Sequence, residues 1–164
     1  MKTLLVLRHA KSSRKDDDLD DHDRPLNQRG KREAPRMGQL LRDENLLPQL
    51  ILCSSAKRCR KTAEHLIEAS GYRGEMRTTG ELYEADGEKL RQALGSLPDE
   101  PTTVLLIAHN PGLEELLETL IGVYTPLSTA ALAQIELPIR RWQDLGVATR
   151  GRLVNLWQPR ELES

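Results

Sequence analysis

Residues 103–108 have the sequence Thr-Val-Leu-Leu-Ile-Ala, and a histidine, His109, follows them directly. A continuous apolar run of this length, rich in branched side chains, predicts a central β-strand that is buried on both faces. Residues 3–7, Thr-Leu-Leu-Val-Leu, form a similar run that stops at Arg8 and His9. Because ligand sites in parallel sheets lie at the carboxyl ends of the strands, these polar residues mark the predicted site.

The rest of the chain alternates between strand and helix patterns. Further strands are predicted over residues 48–53, 76–82, 131–137 and 151–157. Helices are predicted over 25–42, 58–69, 88–97 and 111–121, with a short helix within 138–145. This alternation predicts an α/β fold, a three-layer α/β/α sandwich with a mostly parallel central sheet. Residues 10–24 are predicted to form a charged loop, and the last six residues are predicted to be frayed.

Five small residues modify the helix predictions. Ser54 and Ser55 are candidate N-caps for the helix over 58–69, and Gly71 is predicted to end that helix. Gly30 and Gly38 are weak points in the helix over 25–42, since glycine disfavours a helix interior.

The composition is that of a globular protein without an obvious polyanionic partner. The 164 residues are predicted to form one domain over 1–164, with 38% apolar and 30% charged residues. The net charge of −1 argues against binding to nucleic acid or to an anionic membrane surface. The first apolar run is too short for a signal peptide or a membrane span. We therefore expect a cytoplasmic monomer.

The cysteine pattern does not indicate a metal centre. Cys53 and Cys59 are the only cysteines, so no second pair completes a four-ligand zinc site. They are predicted to be reduced, buried thiols. Because no cluster of carboxylates stands at a strand end, we expect no metal and no other cofactor.

The residues predicted to meet at the edge of the sheet suit phosphoryl chemistry. Two arginines, Arg8 and Arg58, can bind the charged oxygens of a phosphoryl group in a bidentate manner. A neutral imidazole such as His9 can attack phosphorus, and nearby arginines are expected to lower its pKa and keep it neutral near pH 7. The second imidazole, His109, can donate to a non-bridging oxygen in the transition state.

Four motifs in this order resemble those of the histidine phosphatase superfamily. They are Leu7-Arg8-His9-Ala10-Lys11-Ser12, then Ser54 to Ala63 around the second arginine, then Glu81-Leu82-Tyr83-Glu84-Ala85, then Val104 to Gly112. Within that superfamily, the first motif and Asp21-His22-Asp23-Arg24-Pro25-Leu26 resemble the short SixA-like branch. The resemblance implies a phosphoglycerate mutase-like fold with a shallow, open pocket.

The resemblance also implies residue roles. His9 would be the nucleophile that forms a phosphohistidine intermediate, and Arg8, Arg58 and His109 would bind the phosphoryl group. The acidic motif would supply a proton donor, Glu84 or else Glu81, and neither is required if the leaving group is imidazole. Lys11, Ser12 and Asn110 are candidate substrate-binding residues. Of the other histidines, His22 is expected to be solvent-exposed or to brace its loop, and His65 to be structural or exposed.

Three functions remain open at this stage. The preferred one, implied by the SixA-like branch, is hydrolysis of phosphohistidine on a protein such as a phosphotransfer domain. The second is a phosphatase of the same superfamily that acts on small phosphate esters. The third, from another class, is a non-catalytic phosphoprotein-binding module. A mutase is not expected, because only about 20 residues separate the acidic motif from His109 and leave no room for a covering insertion.

Overall fold

The computed structural model describes residues 1–162. Within them, six strands form one sheet: β1 Lys2–Arg8, β2 Leu50–Ser54, β3 Glu75–Thr79, β4 Thr103–Ala108, β5 Leu132–Leu137 and β6 Arg152–Trp157. The strand order is β3-β2-β4-β1-β5-β6. The first four strands are mutually parallel, whereas β5 pairs antiparallel with β1, and β6 with β5. The predicted α/β fold with a mostly parallel sheet is confirmed.

Four α-helices cover the two faces of this sheet: α1 Gln28–Asp43, α2 Lys57–Ser70, α3 Gly87–Gly95 and α4 Gly112–Ile121. Side chains alternate along β1, so that Leu5 and Leu7 pack with α1 and α2. Leu4 and Val6 point the other way and pack with α3 and α4. The sheet is therefore the middle layer of the predicted three-layer sandwich, and in residues 1–162 no helix is long and apolar enough to cross a membrane.

Several predicted elements differ from the observed ones. The strand predicted over 76–82 stops at Thr79, whose hydroxyl accepts from the backbone of Glu81 and starts a 3-10 helix over Gly80–Leu82. The short helix predicted within 138–145 is a single 3-10 turn, Trp142–Asp144. The last six residues are not all frayed, because Pro159–Leu162 form a 3-10 helix with Pro159 buried; residues 163–164 lie outside the described chain.

The helix ends show which capping predictions were right. Gly71 ends α2 in the left-handed conformation at φ +77° and donates its N–H to the carbonyl of Ile67, as predicted. Ser54 and Ser55, however, do not cap α2, because the N-cap is Ala56, which makes no side-chain capping bond. The two serine hydroxyls bond to histidines instead.

Gly30 and Gly38 are close-contact positions rather than weak points. A Cβ at Gly30 would lie 2.2 Å from the carbonyl oxygen of Lys11, and one at Gly38 would lie 2.3 Å from that of Leu66. Gly38 thus lets α1 approach the backbone of α2. Gly30 lets α1 lie directly against the segment that follows His9, so the helix supports the candidate site.

Candidate active site

The register of the sheet brings the two strand-end histidines together. β1 and β4 are neighbours, with Arg8 opposite Ala108, so that the next residues, His9 and His109, leave adjacent strands side by side. Their ring centroids are 5.2 Å apart. β2 lies on the other side of β4, and α2 follows it, so Arg58 in the first turn of α2 lies beside His109.

His9 has a defined tautomer. Its Nδ1 lies 2.8 Å from the carbonyl oxygen of Ala10, which can only accept, so Nδ1 carries the proton and Nε2 keeps its lone pair. Burial is the main cause that lowers the pKa of His9 to about 3; the charges of His109, Arg58 and Arg8 contribute less, and the bond to the Ala10 carbonyl opposes the shift. The arginines were predicted to be the cause, but loss of water is the larger one. His9 is therefore neutral at pH 7 with Nε2 available as a nucleophile.

A buried threonine holds the backbone N–H that directly follows His9. The N–H of Ala10 donates to Oγ1 of Thr62 over 2.9 Å, and that hydroxyl donates to the carbonyl oxygen of Arg58 over 2.7 Å. Thr62 is fully buried on α2. The backbone next to His9 and the helix that carries Arg58 are thus joined by one hydroxyl.

His109 has one ring nitrogen facing the protein interior and one facing Arg58. Its Nε2 lies 2.8 Å from Oγ of the fully buried Ser54, and Sγ of Cys59 is 3.5 Å away. Its Nδ1 lies 3.4 Å from Nη2 of Arg58, which can only donate. Burial first, and then the charge of Arg58, lower the pKa of His109 to about 4. A hydroxyl both donates and accepts, so Ser54 can satisfy Nε2 whichever nitrogen holds the proton.

Arg8 has one anchored end and one unpaired donor. Its Nη1 donates to the carbonyl oxygen of Leu127 over 3.0 Å, and the Nδ2 of Asn110 donates to the same oxygen over 2.9 Å. The Nε of Arg8 and the Oδ1 of Asn110 are buried, and neither has a hydrogen-bond partner in the described chain. Since buried polar groups normally have partners, this Nε is available to donate to a ligand.

Arg58 is held by a residue from the charged loop, Asp21. Nη1 of Arg58 donates to the backbone oxygen of Asp21 over 2.7 Å, and Nη2 donates to its Oδ2 over 3.1 Å. The same carboxylate accepts from Nη1 of Arg24 at 2.7 Å and from the hydroxyl of Tyr83 at 2.6 Å. The bond from Tyr83, with those from the two arginines, holds the pKa of Asp21 well below its ordinary value.

These residues line a cleft of about 220 Å³ that contains only polar side chains. His9 and His109 lie in it with 7% of each exposed. The five cationic side chains face one carboxylate, Asp21. The full lining is Arg8, His9, Lys11, Ser12, Arg14, Asp21, Arg24, Arg58, His109, Asn110 and Thr129.

The three predicted substrate-binding residues all border this cleft, but they differ in exposure and in their hydrogen bonds. Lys11 is exposed, whereas Ser12 is buried and its hydroxyl accepts from Nη2 of Arg24. Asn110 lies between this cleft and a second one of about 250 Å³.

Glu84 and Glu81 lie differently with respect to the two clefts. Glu84 is exposed, adopts a left-handed φ of +57°, and lines the second cleft, which shares Arg58, His109 and Asn110 with the first. Glu81 is exposed and lines neither of them. The geometry therefore favours Glu84 over Glu81 as a proton donor, although Glu84 is not part of the cleft that contains His9.

Sequence reasoning missed four cleft residues: Arg14, Asp21, Arg24 and Thr129. The signal for Asp21 and Arg24 was present, because both belong to the motif over residues 21–26 that was used only to assign a branch. His22 braces its loop as expected, with Nε2 2.8 Å from Oγ of Ser55 and its ring against that of Tyr83.

The cysteines are free and buried, and burial raises the pKa of Cys59 to about 12, so its thiol is protonated. Among residues 1–162, no group of three or more His, Cys, Asp or Glu side chains is placed to hold a metal ion.

Known sequences support the motif assignment. The model of the histidine phosphatase superfamily (branch 1) matches residues 4–94. An uncharacterized protein of Mycobacterium leprae is 36% identical over 161 residues, covering 96% of this chain and 94% of its own. An uncharacterized chloroplastic protein of Arabidopsis thaliana is 34% identical over 151 residues, covering 86% of this chain and 69% of its own.

Solved structures extend the similarity to the whole fold. A candidate phosphohistidine phosphatase SixA from Agrobacterium tumefaciens matches with a TM-score of 0.83 and 29% identity, covering 96% of this chain and 98% of its own. The protein histidine phosphatase SixA in complex with tungstate matches with a TM-score of 0.84 and 21% identity, covering 98% and 99%. The chain belongs to branch 1 of the histidine phosphatase superfamily and has the phosphoglycerate mutase-like fold of the SixA phosphohistidine phosphatases.

Proposed function

We propose that this protein hydrolyses phosphohistidine on a partner protein, without a metal ion, through a covalent phosphohistidine intermediate on His9. The observation that carries the proposal is the state of His9. Its Nδ1 proton is bound to the Ala10 carbonyl, and Nε2 is unprotonated in a cleft lined by guanidiniums. Phosphatase activity is common to the family, and the choice of phosphohistidine as substrate is ours.

The residues of the cleft support a reaction in two steps, transfer of the phosphoryl group to His9 and its hydrolysis. In the first, the lone pair of Nε2 of His9 attacks phosphorus, and the bond from phosphorus to the substrate imidazole breaks with its electron pair on the departing nitrogen. In the second, water attacks the phosphorus on His9, and the bond from phosphorus to Nε2 breaks with its electron pair on Nε2. The proton that the water loses passes to solvent, so inorganic phosphate leaves and neutral His9 is restored. Arg8 and Arg58 bind the equatorial oxygens, and their charge stabilises the transition state in both steps.

The polar lining favours a protein substrate over a small ester. Pockets for small molecules are lined mostly by apolar and aromatic side chains, with a few polar groups for orientation. The cleft around His9 has no apolar side chain among its eleven lining residues. It therefore holds the phosphoryl group, and the rest of the substrate has to be recognised outside it.

The position of Glu84 also favours phosphohistidine. An ester releases an alkoxide, which needs a proton donor at the cleft. Phosphohistidine that is protonated on its other ring nitrogen leaves as neutral imidazole and does not need that donor. Because Glu84 lines the neighbouring cleft, the nitrogen-linked substrate fits the observed arrangement better.

The test is phosphate release from a phosphohistidine-bearing phosphotransfer domain, with an aryl phosphate in parallel, all in the presence of a chelator. We expect the parent protein to prefer the phosphohistidine substrate and His9→Ala to be inactive. His65→Ala is the matched control, because His65 is a histidine of α2 that lines neither cleft. An alkaline quench should trap phosphate on His9, since phosphohistidine is labile in acid.

Each of the other outcomes would assign a different function to this protein. Turnover of the aryl phosphate alone would make it a phosphomonoesterase with the same nucleophile. Binding of the phosphorylated domain without turnover of either substrate would make it a phosphoprotein-binding module. Activity that the chelator abolishes would contradict metal independence.

A further inference from the structure

Asp21 occupies the place of an anion in the cleft. Its two carboxylate oxygens bridge two guanidiniums, with Oδ1 on Nη1 of Arg24 at 2.7 Å and Oδ2 on Nη2 of Arg58 at 3.1 Å. This is the arrangement by which a phosphoryl group bridges two arginines. Asp21 is also the only carboxylate among the residues that line the cleft.

The protein itself uses three of the five donor hydrogens of Arg58. One hydrogen of Nη2 points to Asp21 and the other to Nδ1 of His109. One hydrogen of Nη1 points to the backbone oxygen of Asp21. A phosphoryl oxygen that binds through Nη2 must therefore displace either the Asp21 carboxylate or His109.

The segment that carries Asp21 is able to yield. Asp21 lies on a one-turn 3-10 helix, Asp21–Asp23, with no buried residue, and its side chain is 49% exposed. Its charge persists at neutral pH, because the bonds from Tyr83 and the two arginines keep its pKa low. An ionised carboxylate in the cleft repels a phosphate dianion at any pH where the protein works.

We infer that Asp21 is a resident counter-anion of the phosphoryl site, which holds Arg24 and Arg58 in place when the site is empty and competes with phosphate for them. This inference rests on the proposed phosphoryl-binding role of the cleft. Its consequence is release of product, because inorganic phosphate lacks the protein contacts that would offset competition by Asp21. It also assigns Arg24 as a residue that binds phosphate together with Arg58.

The experiment is a titration of the intact protein with inorganic phosphate and with tungstate, followed by calorimetry or 31P NMR. Asp21→Asn removes the charge, and we expect the Kd for phosphate to fall by roughly threefold to tenfold. Asp21→Glu keeps the charge and should bind as weakly as the parent. Asp23→Asn is the matched control, because Asp23 lies on the same 3-10 helix, faces His22 and does not line the cleft.

An unchanged or higher Kd in Asp21→Asn, in a variant whose amide spectrum matches the parent, would overturn the inference and leave Asp21 as a brace only. Absence of phosphate and tungstate binding by both parent and variant would also overturn it. Binding is measured without turnover, so failure to hydrolyse phosphohistidine is a separate result.

Discussion

Two histidines in one cleft differ in the hydrogen-bond partner of each ring nitrogen. In His9 a backbone carbonyl fixes the proton on Nδ1, and nothing about that carbonyl can change during a reaction. In His109 the interior nitrogen meets the hydroxyl of Ser54, which adapts to either tautomer. A fixed partner suits a nucleophile, and an adaptable one suits a group that must donate to an oxygen only when phosphate is bound.

Burial of both histidines predicts a pH-dependent stability. Their pKa values in the folded protein, about 3 and about 4, lie below the ordinary 6.5. Below pH 6.5 the unfolded chain therefore takes up protons that the folded chain does not. The free energy of unfolding should fall as the pH drops from 6.5 towards 4, by about 1.4 kcal/mol per pH unit for each histidine.

Urea denaturation at about pH 7 and about pH 5 measures this effect. In the parent, both histidines lower the free energy of unfolding between these two pH values. In His9→Gln only His109 remains, so we expect about half of that decrease. Equal losses in parent and variant would contradict the assignment of the effect to His9.

At the scale of elements, α2 contributes both to the lining of the cleft and to the support of the backbone next to His9. Arg58 and Thr62 are four residues apart, so their side chains project from the same face of the helix. One binds in the cleft, and the other holds the Ala10 peptide. The helix therefore sets the distance between the guanidinium and Nε2 of His9 through rigid backbone.

Thr62→Val should separate these roles, because valine has the shape of threonine without its hydroxyl. It leaves the N–H of Ala10 unpaired and buried, and we expect a loss of about 1–2 kcal/mol in the free energy of unfolding. Since Ala10 carries both this N–H and the carbonyl that orients His9, a shift of its backbone should misplace the imidazole. We therefore also expect kcat to fall roughly tenfold. Denaturation and single-turnover kinetics measure the two effects. Thr62→Ser keeps the hydroxyl and should retain most of the activity; if it is as impaired as Thr62→Val, the hydroxyl is not the cause.

At the scale of the whole molecule, the sheet order makes the site depend on both halves of the chain. The family model matches residues 4–94, yet β4 lies between β1 and β2 outside that range and is followed by His109. Within the described sheet, β1 has no direct pairing with β2 or β3. The matched region thus supplies His9, Arg8 and Arg58, and the later region supplies the strand that joins them.

A fragment of residues 1–101 is therefore expected not to fold. It lacks β4, the strand that joins β1 to β2 in the sheet. It also lacks α4 and the later strands, whose side chains pack with those of β1 in the core. Circular dichroism during heating should show no cooperative transition for the fragment and a cooperative one for the full chain. A cooperative transition in the fragment would contradict this account.

Several features of this protein follow from the sequence alone, because local chemistry determines them. The length and branched side chains of the apolar runs of β1 and β4 predict buried strands, and the polar residues that follow parallel strands lie at one edge of the sheet. Arg8 and His9 are adjacent in the sequence, and Gly71 ends α2 through its own backbone conformation, so these two features are also local. The fold class, the family and the residues Arg8, His9, Arg58 and His109 were therefore accessible without coordinates.

Tertiary structure alone decided the rest, because those features depend on distant segments meeting. The antiparallel direction of β5 and β6 depends on how the chain returns after α4. The bridge of Asp21 between Arg24 and Arg58 depends on where a charged loop folds back, and its sequence is equally typical of solvated loops. The hydrogen bond between Ser54 and His109 depends on the register of β2 against β4. The serine hydroxyl could equally have capped a helix, and it binds the imidazole only because that register brings the two groups within 3 Å of each other.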